Sequence, residues 1–188
     1  MPLLQSGSRD FEIPLAYHSL INMSMTNIIL GSLGEATCSL VPAIGETPVV
    51  LAYYRTITNL MEAGHCPLRI VENITNRTRA IIAEIDSEIV GFILFAIKYD
   101  LEEKPTWIFL SYVNPSHRRR GIYKLMYSCL ETHTQSLGSM YTESFVSGGN
   151  AEMIHAASAL GREPISTKLL DTQPDGYYIV TNRFKKCS

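Results

Sequence analysis

The sequence predicts a mixed α/β fold, a central and mostly antiparallel sheet flanked by helices. Three observations carry that expectation. Hydrophobic residues make up 46% and charged residues 18% of the 188, which is enough apolar surface for the core of one domain of ordinary size. Two pairs of β-rich runs are joined by tight-turn sequences, Asp86-Ser87 in one and Gln173-Pro174-Asp175-Gly176 in the other, so each pair reads as an antiparallel hairpin. Between them, apolar residues recur at helical spacing at Ile122, Leu125, Met126, Cys129, Leu130, His133 and Leu137, and Gly138 stops the run.

Taken in order, residues 1–35 form an extension of unclear role, in which "LAYHSLINMSMTNIIL" fits a helix with Leu15, Leu20 and Ile28 on one side. "ATCSLVPA" at 36–43 is a short strand closed by Pro42 and Gly45. A helix follows, with Thr47 as cap, Pro48 at its first position, an apolar stripe from Val50 to Met61 and Gly64 as its stop. "RAIIAEI" and "EIVGFILFAIKYD" make the first hairpin, and "TWIFLSYV" at 106–113 is the next strand. After the helix from Ile122 come a strand at 139–147 and a turn at Gly148-Gly149. A short helix capped by Asn150 turns Met153, Ile154, Ala157 and Leu160 inward and ends at Gly161. "ISTKLLDT" and "YYIVTNRFK" close the chain as a hairpin.

Charge excludes some functions. With 16 basic against 18 acidic residues the formal net charge is −2, so no general attraction to nucleic acid or to an anionic membrane is expected. No apolar run approaches the ~20 residues of a spanning helix, and the first residues lack the basic and apolar blocks of a signal peptide. Cys38, Cys66, Cys129 and Cys187 are too scattered for a zinc site or a disulfide framework, so they read as small hydrophobes in a reducing, cytoplasmic setting, and no metal is expected.

Against that background "NPSHRRRGIYKLM" at 114–126 stands out. Gly121 permits a tight path at the end of a strand, and the helix that follows presents its unpaired first-turn N–H groups there. Runs of arginine are ordinarily solvated. Cations are unfavourable beside a helix N-terminus, however, so Arg118, Arg119 and Arg120 point to a bound anion, most simply a phosphate or pyrophosphate.

Val113, Pro115, Arg118 and Gly121 resemble the acetyl-CoA signature of the GNAT (GCN5-related N-acetyltransferase) superfamily, Val-x-Pro-x-x-Gln/Arg-x-x-Gly-x-Gly/Ala after the fourth strand. Tyr123 departs from its last position. A second match is Asn150 after the fifth strand, with "ALGR" at 159–162 in place of the family's Leu-Gly-Phe-like stop. The resemblance implies a GNAT-like domain over 36–188, with a sheet splayed between the fourth and fifth strands and acetyl-CoA as acyl donor. It places the pantetheine arm along Ser111, Tyr112 and Val113, the pyrophosphate on the amides of Arg119, Arg120, Gly121, Ile122, Tyr123 and Lys124, and Asn150 on the far side. An amine of a small molecule, peptide or protein would attack the thioester directly in a ternary complex.

Two proton-transfer roles then need owners. Family members usually carry a tyrosine acid seven residues after the Asn, where this chain has Ala157; Ser158 and His155 lie on the same helix. Some relatives place a glutamate base where this chain has Trp107, and Glu143 on the fifth strand is the preferred substitute. The catalytic candidates are therefore Glu143 and Ser158. Two other readings compete with acetyl transfer: a catalytically weak acyl-CoA-binding or interaction module, motivated by Ala157, and a nucleic-acid binder using the arginine run, which the overall acidity opposes. Oligomeric state is open, a homodimer paired through terminal strands or the extension being one form.

Overall fold

The computed structural model describes residues 28–42, 55, 58, 59, 77–147, 149–168 and 177–183. Among these, eight strands form one sheet: β1 Ile28–Leu33, β2 Ala36–Pro42, β3 Arg79–Ile85, β4 Glu88–Ile97, β5 Thr106–Val113, β6 Tyr141–Ser147, β7 Glu163–Lys168 and β8 Tyr177–Arg183. Their spatial order is β1-β2-β3-β4-β5-β6-β8-β7, and every neighbouring pair is antiparallel except β5 with β6. Two helices are described at length, α1 Ile122–Ser136 and α2 Ala151–Ala159.

The hairpins arise where their turns predict. Asp86 and Ser87 both have positive φ, 50° and 66°, the backbone that a two-residue turn matching strand twist requires. In the closing hairpin β7 and β8 pair antiparallel, while its turn lies outside the described residues. So do most of the two early helical readings. Residues 55, 58 and 59, inside the second of them, are helical. The first extended to Ile28, and there the structure differs, because Ile28–Leu33 is a strand paired with β2. A β-rich Ile28-Ile29-Leu30 run followed by Gly34 at φ +58° makes a two-residue hairpin turn with Glu35, a signal that the helical spacing obscured.

β4 is buried along most of its length, as the unbroken apolar run "IVGFILFAI" dictates for a strand covered on both faces. One face meets α1, which lies across β1 to β5. There Ile81, Ile93, Phe95 and Ile108 pack against Ile122, Met126, Tyr127, Cys129 and Leu130. Tyr127 and Thr134, polar positions outside the apolar stripe, are also buried because each finds a partner: the Tyr127 hydroxyl shares a 2.7 Å hydrogen bond with Thr142 Oγ1, and Thr134 Oγ1 donates to the Leu130 carbonyl at 2.9 Å. Cys38 and Cys129 are free and buried against each other. Burial pushes the Cys38 thiol up to about 12 and raises Cys129 too, which keeps both as neutral, small apolar groups.

The site depends on how β5 leaves the sheet. Against β4 its register runs Leu94↔Leu110 and then Phe95↔Ile108, so Phe109 is an extra residue in a bulge. Against β6 the parallel pairing is confined to Thr106↔Thr142, Trp107↔Glu143 and Ile108↔Ser144, and it stops where the bulge begins. Bulges bend their strand. Beyond that point β5 and β6 part, and they are the splayed fourth and fifth strands of the sequence reading, renumbered because β1 precedes them.

Candidate functional site

Past Val113 the chain turns sharply. Asn114 Oδ1 accepts from the Ser116 N–H at 3.1 Å and from the Ser116 hydroxyl at 2.9 Å, and the Asn114 N–H donates to the Val90 carbonyl at 2.8 Å, tying the turn to β4. Pro115–His117 form a single 3-10 turn. Arg119 and Gly121 then have positive φ, 63° and 80°, with Arg120 between them outside that region. Alternation of this kind brings consecutive N–H groups to one side of the chain as an anion-binding concavity. Gly121 is the N-cap residue of α1, no side chain caps the helix, and no acidic residue occupies its first turn. The first N–H groups and the positive end of the dipole are left open.

Opposite, α2 begins differently. Asn150 Oδ1 accepts from the Met153 N–H at 3.0 Å, and Glu152 lies in the first turn, so cap and dipole are both already satisfied. Arg118 links the two sides. Its Nε donates to the Val113 carbonyl at 3.1 Å and its Nη1 reaches Glu152 Oε2 at 3.3 Å.

Between these elements lies a cleft of about 520 Å³. It is lined by Ser111, Tyr112 and Val113 from β5, by Arg118, Arg119, Gly121, Ile122, Tyr123 and Lys124 from the turn and α1, and by Asn150. Of the residues that the family resemblance assigned to the cofactor, Arg120 stands outside the lining and is exposed. His117, Glu152, Met153, His155 and Ala156 line it as well. The signal for the last four was available: once Asn150 marks the edge of a site, the adjoining face of its own helix belongs to that site.

Tyr123, which lines the cleft, is held from outside the lining by Arg162, which is buried. Its Nη2 donates to Ser144 Oγ at 2.7 Å, its Nη1 to the Tyr123 hydroxyl at 3.3 Å, and its guanidinium lies 5.1 Å from the Tyr127 ring centre. A flat group packed on an aromatic ring thus occupies the place of the aromatic residue expected after Gly161.

The catalytic candidates fall outside the cleft lining. Ala157 is buried against Val146, and Ser158, one step of about 100° further round α2, is exposed. Glu143 is half-buried on β6. Its neighbours Thr142 and Ser144 bond to Tyr127 and Arg162, so strand alternation turns Glu143 to the opposite face of the sheet, beside Trp107. His155, by contrast, borders the cleft directly. Among the described residues no group of His, Cys, Asp and Glu side chains could hold a metal ion, and no helix is long and apolar enough to cross a membrane.

The sequence matches the family model of the Acetyltransferase (GNAT) family over residues 51–161. No curated protein matches the chain. Solved structures with a similar fold include a GNAT family acetyltransferase from Elizabethkingia anophelis with acetyl-CoA bound, at TM-score 0.61 and 12% identity, covering 81% of this chain and 100% of that one. The ribosomal-protein-S18-alanine N-acetyltransferase from Escherichia coli aligns at TM-score 0.60 and 12% identity, covering 80% and 96%. Arabidopsis thaliana NAA60 in complex with a bisubstrate analogue aligns at 0.59 and 16%, covering 78% and 98%.

Proposed function

We propose, from the premise that the chain belongs to the acetyltransferase (GNAT) family, that it binds acetyl-CoA in the cleft bordered by β5 and the starts of α1 and α2 and moves the acetyl group to an amine. One observation carries this reading. An uncapped helix start, Gly121 at φ +80° and three cleft-lining cations, Arg118, Arg119 and Lys124, converge where β5 parts from β6.

The residues fit the cofactor chemically. A diphosphate needs several donors in a small space, and the amides from Arg119 to Lys124 supply them with the helix dipole behind. Beyond Ile108 the β5 backbone has no ladder with β6, so Ser111 to Val113 offer main-chain groups to an extended amide-bearing arm. Asn150 spends its carboxamide oxygen on the cap, which leaves Nδ2 as its donor to a ligand. Arg120, exposed outside the lining, adds charge at a distance only.

Acetyl-CoA bound there supplies a thioester whose carbonyl an amine attacks, forming the amide and releasing the thiol. An alkylamine is mostly protonated at neutral pH, with a pKa of about 10.4, so a base must relieve it, and Glu143 on the far face is our candidate. Thiol departure needs less help, because its pKa is about 8.5. Ser158 would protonate it only after a shift of α2 that turns the residue inward. The acceptor class is an amine of a peptide, protein or small molecule.

The burial of Ala157, where relatives carry a tyrosine acid, favours a second reading: an acyl-CoA-binding module with little turnover. Calorimetry with acetyl-CoA and CoA, paired with thiol release across a panel of amines, separates the two. Binding with release supports transfer, binding without release supports the module, and no heat with either ligand overturns both. Ser158→Ala should leave release unchanged if solvent protonates the thiol.

A further inference from the structure

The contacts of the buried Arg162 converge on one hydroxyl of the cleft. Its backbone N–H donates to the Ala157 carbonyl at 3.0 Å, its Nη2 to Ser144 Oγ at 2.7 Å and its Nη1 to the Tyr123 hydroxyl at 3.3 Å. A guanidinium carries donors and no acceptor, so the Tyr123 oxygen accepts there and its own proton points elsewhere. Among the described residues no acceptor takes that proton. Because Tyr123 lines the cleft, its O–H is available to whatever fills it.

The sheet fixes where that hydroxyl stands. Ser144, held by the same guanidinium, is the β6 partner of Ile108 in the last rung before the strands part. An extended arm that leaves the amides of residues 119–124 and follows Val113 to Ser111 back along β5 ends toward that rung, with its sulfur at the far end. The Tyr123 hydroxyl is one guanidinium away from the same rung. Ala157, small and buried against Val146, offers no donor there, and the other tyrosine of the lining, Tyr112, packs its ring against Phe92 with centroids 5.5 Å apart.

We infer that Tyr123 gives its hydroxyl proton to the departing sulfur and that Arg162 is the residue that positions it, an assignment that rests on the proposed acetyl-CoA reading. The amine nitrogen bonds to the carbonyl carbon, the C–S bond breaks with its electron pair on sulfur, and sulfur takes the Tyr123 proton. The surplus proton of the amine passes to base or solvent. The phenolate, facing a fixed cation, recovers a proton from solvent. A buried guanidinium already aimed at the oxygen where charge develops needs no reorganisation during the step.

Desulfo-CoA, which lacks only the sulfur, isolates the contact. Calorimetry on wild-type protein should show CoA bound more tightly than desulfo-CoA, and Tyr123→Phe should shrink that preference about five-fold, as loss of one hydrogen bond does. Arg162→Met should shrink it in the wild type and no further in the Tyr123→Phe background, because it acts through the hydroxyl. Hydroxylamine, neutral near pH 7, serves as an acceptor that needs no base. With it, Tyr123→Phe should lower kcat for thiol release about 100-fold and leave KM for acetyl-CoA unchanged. The same CoA preference in wild type and Tyr123→Phe, or the same kcat, overturns the assignment of Tyr123. A further fall when Arg162→Met joins Tyr123→Phe overturns the positioning role. No heat with either ligand in the wild type sinks the acetyl-CoA reading and this inference with it, whereas heat with an unchanged preference sinks this inference alone.

Discussion

The two helices that flank the cleft start in opposite ways. α1 is rooted in the sheet by six buried residues, has no side-chain cap, and opens with Gly121 in the left-handed region beside basic side chains. α2 buries only Ala157, is capped by the Asn150 side chain, and carries Glu152 in its first turn. A helix held by packing can leave its first N–H groups free for a ligand. A shallow helix must satisfy them itself. The anion site therefore sits on the deep helix, and the shallow one supplies the opposite wall.

That contrast yields four tests. Met126→Ala should produce the largest loss, about 2–5 kcal/mol by denaturant unfolding, because Met126 is fully buried between α1 and the sheet; Met153→Ala on half-buried α2 should cost clearly less. Equal losses would mean that α1 is no better rooted than α2.

Next comes Gly121→Ala. A side chain at φ +80° costs about 1–2 kcal/mol, and its Cβ would come to 3.0 Å from Leu33 Cδ2. Calorimetry should show acetyl-CoA affinity falling alongside stability, and unchanged affinity would mean that the turn is not the anion cradle.

Asn150→Ala should then cost about 1 kcal/mol, read as a lower Tm, since it removes the α2 cap. No shift would show that α2 does not depend on it. The smallest effect belongs to Glu152→Gln. The exposed pair with Arg118 contributes little to stability, so Tm should hardly move. Removing a negative charge from the cleft wall should nonetheless tighten CoA about two-fold at low salt, and the gain should shrink as ionic strength rises. A weaker CoA affinity in this variant would assign Glu152 a holding role instead.

Much of this was legible in the sequence because it is local. Asp86-Ser87 makes its own turn, the 3.6-residue stripe from Ile122 makes α1, Gly138 and Gly161 stop their helices, and Asn150 caps α2; each of these depends on atoms a few residues apart. The sequence also located most of the cleft lining, since one continuous segment, 111–124, supplies it. The β1 strand was not legible. A run such as Ile28-Ile29-Leu30 fits helix or strand equally until β2 offers its hydrogen bonds.

Only tertiary structure settled where side chains from distant segments meet. It tied Arg118 to Glu152, buried Arg162 between Ser144 and Tyr123, and put Lys98, Trp107 and Phe145 on one corner. It also set the width of the gap, because the bulge at Phe109 and the three short rungs to β6 are properties of strand pairing. The physical reason is range. Turn, cap and periodicity preferences act along a few residues of chain, whereas register, ion pairs and ring contacts join segments tens of residues apart and exist only once the sheet has closed.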